Sequence, residues 1–160
     1  CLFSSSLCKH LTATSNRFFS NLGIDIEDRI KSYSDFLRFS SQTSDLPNGE
    51  AAHAHLIKNS FISSLFLRNF LLQMYVKCGD FDSALNLFDE MPERNCVSWS
   101  SLIAGFVQCG YPTRALFFFS RMYRADVKPQ EFTLVSALNA SSFTGYVHQA
   151  YQLYAFVVRL

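Results

Sequence analysis

The chain has 160 residues, 49% of them hydrophobic and 16% aromatic, and its 14 Lys and Arg against 13 Asp and Glu give a net charge of +1. This composition excludes a disordered tail and a polybasic nucleic-acid binder, and it predicts one globular domain or a short array that folds without metal or disulfide. The five cysteines, an odd number, argue against a secreted disulfide framework, and no apolar run is long enough to span a bilayer.

The first segment, residues 1–29, is predicted to be a transit-peptide-like or disordered N-terminal region. Residues 1–24 contain no acidic residue, are rich in Ser and Thr, and carry Lys9 and Arg17. That composition is typical of organelle transit peptides, and a disordered linker is the alternative. The string RFFS at 17–20 is similar to the context at which mitochondrial presequences are often cut. We therefore expect a mitochondrial protein, with the plastid as the alternative.

The rest of the chain repeats itself. Residues 82–91 (DSALNLFDEM) match residues 113–122 (TRALFFFSRM) at an offset of 31, which also carries Gly79 to Gly110. A further step of 35 carries Gly110 to Gly145. Self-similarity at such a period indicates a repeat architecture. The predicted units are 30–64, 65–95, 96–130 and 131–160, of which the first is degenerate and the last truncated.

Each unit is predicted to contain two helices. In the second unit an apolar stretch at 65–77 is broken by Gly79, and a second helix begins after Asp80, a suitable N-cap, and ends at Pro92. One face of that second helix is apolar, and its residues are Phe81, Ala84, Leu85, Phe88 and Met91.

The third unit follows the same plan, with a helix at 96–108, a break at Gly110 and a helix from about Pro112 to Arg124. Alanine recurs where the helices of a pair would approach closely, at Ala84, Ala115 and Ala150. One helix pair cannot bury its apolar faces alone, so neighbouring pairs must stack. The predicted fold is all-α, an α-solenoid (superhelix) of stacked antiparallel helix pairs with a concave surface.

Two long strings carry a family resemblance. Residues 70–95 (FLLQMYVKCGDFDSALNLFDEMPERN) and 97–130 (VSWSSLIAGFVQCGYPTRALFFFSRMYRADVKPQ) resemble pentatricopeptide repeats of the plant organelle type. The 35, 31 and 35 spacing is similar to the subclass that alternates standard, long and short units, in the order long, short, standard, long. The tetratricopeptide repeat is disfavoured by the 31-residue unit and by Lys128-Pro129 in the link.

This resemblance implies binding of single-stranded organellar RNA, with one base for each repeat. In the family, the fifth and last residues of a unit read the base edge, and an apolar residue at the second position packs on the base. The residues that match these positions in the second unit are Asn69 and Asn95, flanked by Phe66 and Val97. Those that match in the third unit are Ser100 and Gln130, flanked by Val97 and Phe132.

The family's code gives expectations for each base. Asn with Asn favours a pyrimidine, cytidine over uridine, and Ser at the fifth position favours a purine. Gln130 departs from the usual Asn or Asp at the last position. The long units carry Ser34 with Ser64 and, in the last unit, Val135, which has no hydrogen-bonding group and should read little.

No catalytic constellation is found, so the chain is predicted not to be an enzyme and to need no cofactor or metal. His53 and His55 lie two positions apart, on opposite sides of a helix, and cannot chelate one ion. Cys78 and Cys109, at equivalent turns, are predicted to be packed thiols. The resemblance includes cytidine-to-uridine editing factors, but the zinc motif of a deaminase is missing from this sequence. Such a segment could only direct the chemistry of other RNA editing or processing proteins.

Two hypotheses of function remain. The first is an RNA-binding specificity array, whose phosphate contacts could come from the basic side chains Lys77, Arg94, Arg121, Arg124 and Lys128. The second is a helical-repeat scaffold that binds proteins without reading RNA. The salt dependence of RNA binding discriminates between them, because each neutralised phosphate releases counterions.

Overall fold

The computed structural model of the chain describes residues 25–144, which form seven α-helices joined by short turns and contain no strand. The helices are α1 (Ile26–Thr43), α2 (Leu46–Lys58), α3 (Leu65–Cys78), α4 (Phe81–Glu90), α5 (Cys96–Gln108), α6 (Pro112–Arg124) and α7 (Glu131–Thr144). A short 3-10 helix, Phe61–Ser63, precedes α3. Of the transit-peptide prediction for residues 1–29, residues 1–24 lie outside the described residues, as do Gly145 and Ala150.

The helices pack in two layers. The odd-numbered helices α1, α3, α5 and α7 pack each on the next and form what we call the A layer. The even-numbered helices form the B layer, in which α2 packs on α1 and α3, α4 on α3, and α6 on α5 and α7. Successive A helices contact each other more closely than successive B helices do, so the stack curves toward the A layer. The predicted all-α solenoid is confirmed.

The helices begin and end close to the residues that the sequence indicates. Asp80 caps α4 by accepting a hydrogen bond from the Ser83 amide at 3.1 Å, and α4 ends at Glu90, before Pro92. The helix α1 begins at Ile26, earlier than the unit boundary predicted at residue 30. The reason is local, because the Asp25 carboxylate accepts a hydrogen bond from the Ile26 amide at 2.7 Å.

Gly79 ends α3 in the left-handed conformation, with φ of 80°, and its amide donates to the carbonyl of Val76 at 3.1 Å. A Cβ there would have open space, so the cost of Gly79→Ala is conformational alone. We expect this variant to lose about 1–2 kcal/mol of unfolding free energy in urea denaturation. The control is Gly79→Asn, which should lose less because Asn tolerates this conformation. An equal loss in both variants would contradict the explanation.

The two layers enclose an aromatic core. Phe88 of α4 lies fully buried, 4.7 Å from Trp99 of α5 between ring centroids, and Phe118 of α6 stacks on Phe106 at 5.3 Å. Ala84 and Ala115 are fully buried. The apolar stripes seen in the sequence are therefore core packing.

A buried polar pair joins the two layers. The Tyr75 hydroxyl of α3 lies 2.8 Å from Nδ1 of His53 in α2. Burial raises the pKa of Tyr75 to about 12 and lowers the pKa of His53, so burial favours a protonated tyrosine and a neutral imidazole ring. Within residues 25–144 no group of His, Cys, Asp and Glu could hold a metal ion.

The two turn cysteines differ. Cys78 packs as predicted, with Sγ 3.8 Å from Sδ of Met74, but Cys109 is exposed, and the prediction that it is packed is wrong. The physical reason lies four residues upstream of each cysteine. Met74 supplies a long side chain to Cys78, whereas Gly105 stands at the corresponding place before Cys109 and supplies none.

Candidate nucleic-acid interface

A groove with a volume of about 400 Å³ crosses the A layer and is lined by residues of α1, α3, α5 and α7 together with the link before α7. The four residues predicted to read a base in the third unit all line it, namely Val97, Ser100, Gln130 and Phe132. Two side-chain hydrogen bonds join α3 to α5 along it, from Gln73 to Ser101 at 3.3 Å and from Lys77 to Gln108 at 2.7 Å. The A layer therefore offers a concave channel that combines polar and apolar side chains.

The predicted pair of the second unit is brought together directly. Asn69 lies in α3 and Asn95 immediately before α5, and the Asn69 amide nitrogen donates to the Asn95 side-chain oxygen at 3.3 Å. Asn69 is 7% exposed and Asn95 is half-buried. The two amides therefore form one polar unit at the start of α5.

Asn95 also caps α5. Its side-chain oxygen accepts hydrogen bonds from the backbone amides of Val97 and Ser98, both at 3.1 Å. The Ser98 hydroxyl, which is buried, donates to the Asn69 side-chain oxygen at 2.7 Å. Because capping satisfies donors that the first helical turn leaves free, the same residue that starts the helix also positions the pair.

Exposed apolar side chains flank the pair. The second positions of three successive A helices carry Phe66, Val97 and Phe132, which are 53%, 38% and 59% exposed. Large exposed apolar groups that recur on one layer indicate a binding surface rather than a core. Aromatic and aliphatic faces at this spacing are suited to packing against planar groups.

The predicted pair of the third unit has a different arrangement. The buried Ser100 hydroxyl lies 2.6 Å from the Thr133 hydroxyl of α7 and also donates to the carbonyl of Cys96. Gln130 is exposed at the edge of the groove. The structure therefore places Ser100 and Gln130 in one groove but pairs Ser100 with Thr133 instead.

Comparison with known proteins decides the family. The family model described as the PPR repeat matches residues 67–96 and 97–127, which contain the helix pairs α3 with α4 and α5 with α6. The chain belongs to the pentatricopeptide repeat family.

Curated proteins that are similar to this chain are named for the same repeats. A pentatricopeptide repeat-containing protein of Arabidopsis thaliana is 32% identical over 135 residues, which cover 84% of this chain and 23% of that protein. A second Arabidopsis thaliana protein of this name, called mitochondrial, is 38% identical over 119 residues, 74% of this chain and 16% of that protein. The chain thus spans less than a quarter of the length of these relatives.

The polar residues predicted for the first unit, Ser34 and Ser64, do not form a pair. Ser34 of α1 is buried and donates to the carbonyl of Lys31 within its own helix at 2.8 Å. Ser64 caps α3 by accepting a hydrogen bond from the Leu67 amide at 3.5 Å. Val135 of α7 is exposed. These residues leave the second and third units as the better candidates for base recognition.

The hydroxyls that contact the fifth-position residues Asn69 and Ser100 were not identified from the sequence. Ser98, the third residue of its unit, contacts Asn69, the fifth residue of the unit before. In the same way Thr133, the third residue of the next unit, contacts Ser100, the fifth residue of the third unit. A signal was present, because the step of 35 that relates the two units carries Ser98 onto Thr133. In both units of this chain, the hydroxyl at the third position contacts the fifth-position residue of the unit before it.

The basic side chains differ in availability. Lys77 lines the groove, and Arg124 and Lys128 are exposed. Arg94 instead donates to the carbonyls of Phe88 and Asp89, both at 2.7 Å, so it closes the end of α4. Arg121 lies 5.4 Å over the ring of Phe118. Of the predicted phosphate contacts, Lys77 is the one that lies in the groove.

Residues 25–144 include no helix that is both long and apolar enough to cross a membrane.

Proposed function

We propose that the A layer binds single-stranded RNA and that each of the second and third units reads one base. The observation that carries this proposal is the hydrogen-bonded pair of Asn69 and Asn95, flanked by exposed Phe66 and Val97. Polar groups that can meet a base edge, set between apolar faces that can pack on its rings, are what single-stranded RNA recognition requires.

For the second unit, the proposed contact is a base packed between Phe66 and Val97 with its Watson–Crick edge toward the two amides. Packing of one base is worth about 1–3 kcal/mol and favours no particular base. Selection must therefore come from the amides. The family resemblance indicates a pyrimidine here, with cytidine preferred over uridine.

For the third unit, the proposed base packs between Val97 and Phe132, with Gln130 at its edge. The groove supports this proposal because it brings these three side chains together around an open volume. The Ser100 hydroxyl already has two partners, so its contribution to a base contact is limited. We propose a purine preference that is weaker than the pyrimidine preference of the second unit.

In the cell, the proposed role is that of a non-catalytic specificity segment in organelle RNA metabolism, directing RNA editing or processing by other proteins. The mitochondrion is the proposed location, which agrees with the names of several relatives. The spacing of the units further supports membership of the subclass with standard, long and short repeats.

The test is binding of a fluorescent single-stranded RNA panel in which one base is varied at a time. Asn69→Ala is expected to weaken binding of the preferred RNA by about three- to tenfold, because it removes a hydrogen-bonding group from the base edge. The matched control is Asn86→Ala, an exposed asparagine on α4 in the B layer, which should bind like wild type. No base preference in the folded wild-type chain, or equal loss in both variants, would contradict the proposal.

The alternative function is a protein-binding scaffold, for which exposed Phe117 on the B layer would be a contact residue. Salt dependence separates the two, since RNA binding should weaken with a slope of about −0.7 for each neutralised phosphate. Lys77→Gln should make that slope shallower by about 0.7, the contribution of one phosphate contact. A slope near zero would favour the scaffold.

A further inference from the structure

We infer that Ser98 is a positioning residue that fixes the orientation of the Asn69 amide and thereby makes the second unit select cytidine over uridine. This inference rests on the proposed function of the A layer. It assigns a role to a residue that is fully buried and that lies at neither the fifth nor the last position of its unit.

The orientation follows from a chain of hydrogen bonds that starts at the backbone. The amides of Val97 and Ser98 can only donate, so the Asn95 side-chain atom that they meet at 3.1 Å must be the oxygen. The Asn69 atom that faces this oxygen at 3.3 Å must then be its nitrogen. The Asn69 oxygen is consequently turned toward Ser98, whose hydroxyl donates to it at 2.7 Å.

The Ser98 proton has one preferred acceptor. The Ser98 oxygen lies 2.7 Å from the Asn69 oxygen and 3.1 Å from the Asn95 oxygen, and the shorter contact is the stronger one. Without that proton, the Asn69 oxygen would be a buried acceptor with no donor, and the amide would keep only its hydrogen bond to Asn95. It would then rotate to bring its oxygen to a base that offers a donor, as uracil does. The Asn95 oxygen therefore holds the Asn69 nitrogen, and Ser98 holds the Asn69 oxygen away from the base.

This network leaves donors for a ligand. Both side-chain oxygens of the pair are occupied, and within residues 25–144 the Asn95 nitrogen has no acceptor among its hydrogen bonds. The Asn69 nitrogen donates one of its two protons to Asn95 and retains the other. The pair therefore presents N–H groups and no acceptor to a base.

A surface of donors distinguishes the bases by their Watson–Crick edges. Cytosine carries two neighbouring acceptors, N3 and O2, which two N–H groups can meet together. Uracil carries an N–H donor at N3, and that donor would face another donor. Adenine and guanine lack two adjacent acceptors on this edge. A buried donor left opposite a donor costs free energy, so cytosine is selected.

The same arrangement recurs in the next unit with different chemistry. Ser100 donates its one proton to the carbonyl of Cys96, so Thr133 must be the donor in its 2.6 Å contact with Ser100. Ser100 therefore has no proton left to donate to a base, whereas the Asn69 amide retains one. This difference predicts sharp discrimination by the second unit and weak discrimination by the third.

The test compares RNA oligonucleotides that differ only in having cytidine or uridine at one position, and it measures the ratio of their affinities. The comparison is repeated for each position of the oligonucleotide. The wild-type chain should prefer cytidine at one position, and Ser98→Ala should lower that ratio by about three- to tenfold while uridine RNA binds about as before. Ser98→Thr retains the hydroxyl and should restore the ratio. If Ser98→Ala does not fold, Ser98→Cys, which keeps only a weak donor, should lower the ratio instead.

The matched control is Thr133→Val, which removes the equivalent hydroxyl one unit further along. It should leave the cytidine-to-uridine ratio unchanged at the position where the wild-type chain prefers cytidine. Equal weakening of both RNAs by Ser98→Ala, or an unchanged ratio, would overturn the role of Ser98 while RNA binding itself stands. Failure of the folded wild-type chain to bind any RNA would instead overturn the proposed function.

Discussion

Replacing Phe88 by Ala is expected to lower the free energy of unfolding by about 3–5 kcal/mol, the largest effect of any single substitution considered. Phe88 is fully buried in α4 and meets Trp99 of α5 at 4.7 Å and Phe118 of α6 at 6.0 Å between ring centroids. Arg94 lies 5.1 Å over the same ring. Removing the ring opens a cavity between two repeats, and a repeat array depends on such interfaces for its stability.

The measurement is urea denaturation followed by far-ultraviolet circular dichroism. Phe117→Ala is the matched control, since Phe117 is a phenylalanine of α6 that is 59% exposed. Its loss should be below about 1 kcal/mol, as is usual for exposed positions. Similar losses for the two variants would show that the aromatic core between the layers does not hold the repeats together.

The second large effect is expected for Gly105→Ala, which should cost about 1–3 kcal/mol. Gly105 lies in α5 where it crosses α3, and a Cβ there would overlap Cγ1 of Val76. The two helices would have to move apart. Because Val76 and Gly105 both line the groove, the variant should also weaken RNA binding, although neither residue carries a polar side chain.

A double-mutant cycle tests the cause. In a Val76→Ala background the clashing methyl group is gone, so Gly105→Ala should cost much less than it does in the wild-type chain. The measurement is the unfolding free energy of all four chains. The same cost in both backgrounds would mean that helix propensity or another contact, and not the close approach of α3 and α5, explains the glycine.

Much of the fold could be predicted from local signals in the sequence. The apolar period, the glycines at 79 and 110 and the Asp80 cap act within a few residues of where they stand, so the bounds of α3 to α6 follow closely. The offsets of 31 and 35 then imply stacking. The need for glycine at position 105 has no such local signal, because it comes from the close contact with Val76 of the preceding unit.

The candidate site could be predicted only in part. The resemblance supplied Asn69 and Asn95, but the sequence could not show that Asn95 caps α5 while it contacts Asn69. Ser98 was missed because serine in the first turn of a helix is commonplace. Arg94 was expected to face solvent or phosphate, yet it closes α4, since carbonyls at a helix end need donors.

The most direct test of the central claim, that the Asn69 and Asn95 amides face the bound base, is nuclear magnetic resonance of their side-chain N–H groups during titration with RNA. Assignment comes from the loss of each signal in Asn69→Ala and Asn95→Ala. RNA with cytidine at the preferred position should shift both signals more than its uridine counterpart, and the Asn86 signal should stay unchanged. Shifts confined to Asn86 and the B layer, or equal shifts with cytidine and uridine, would contradict the account.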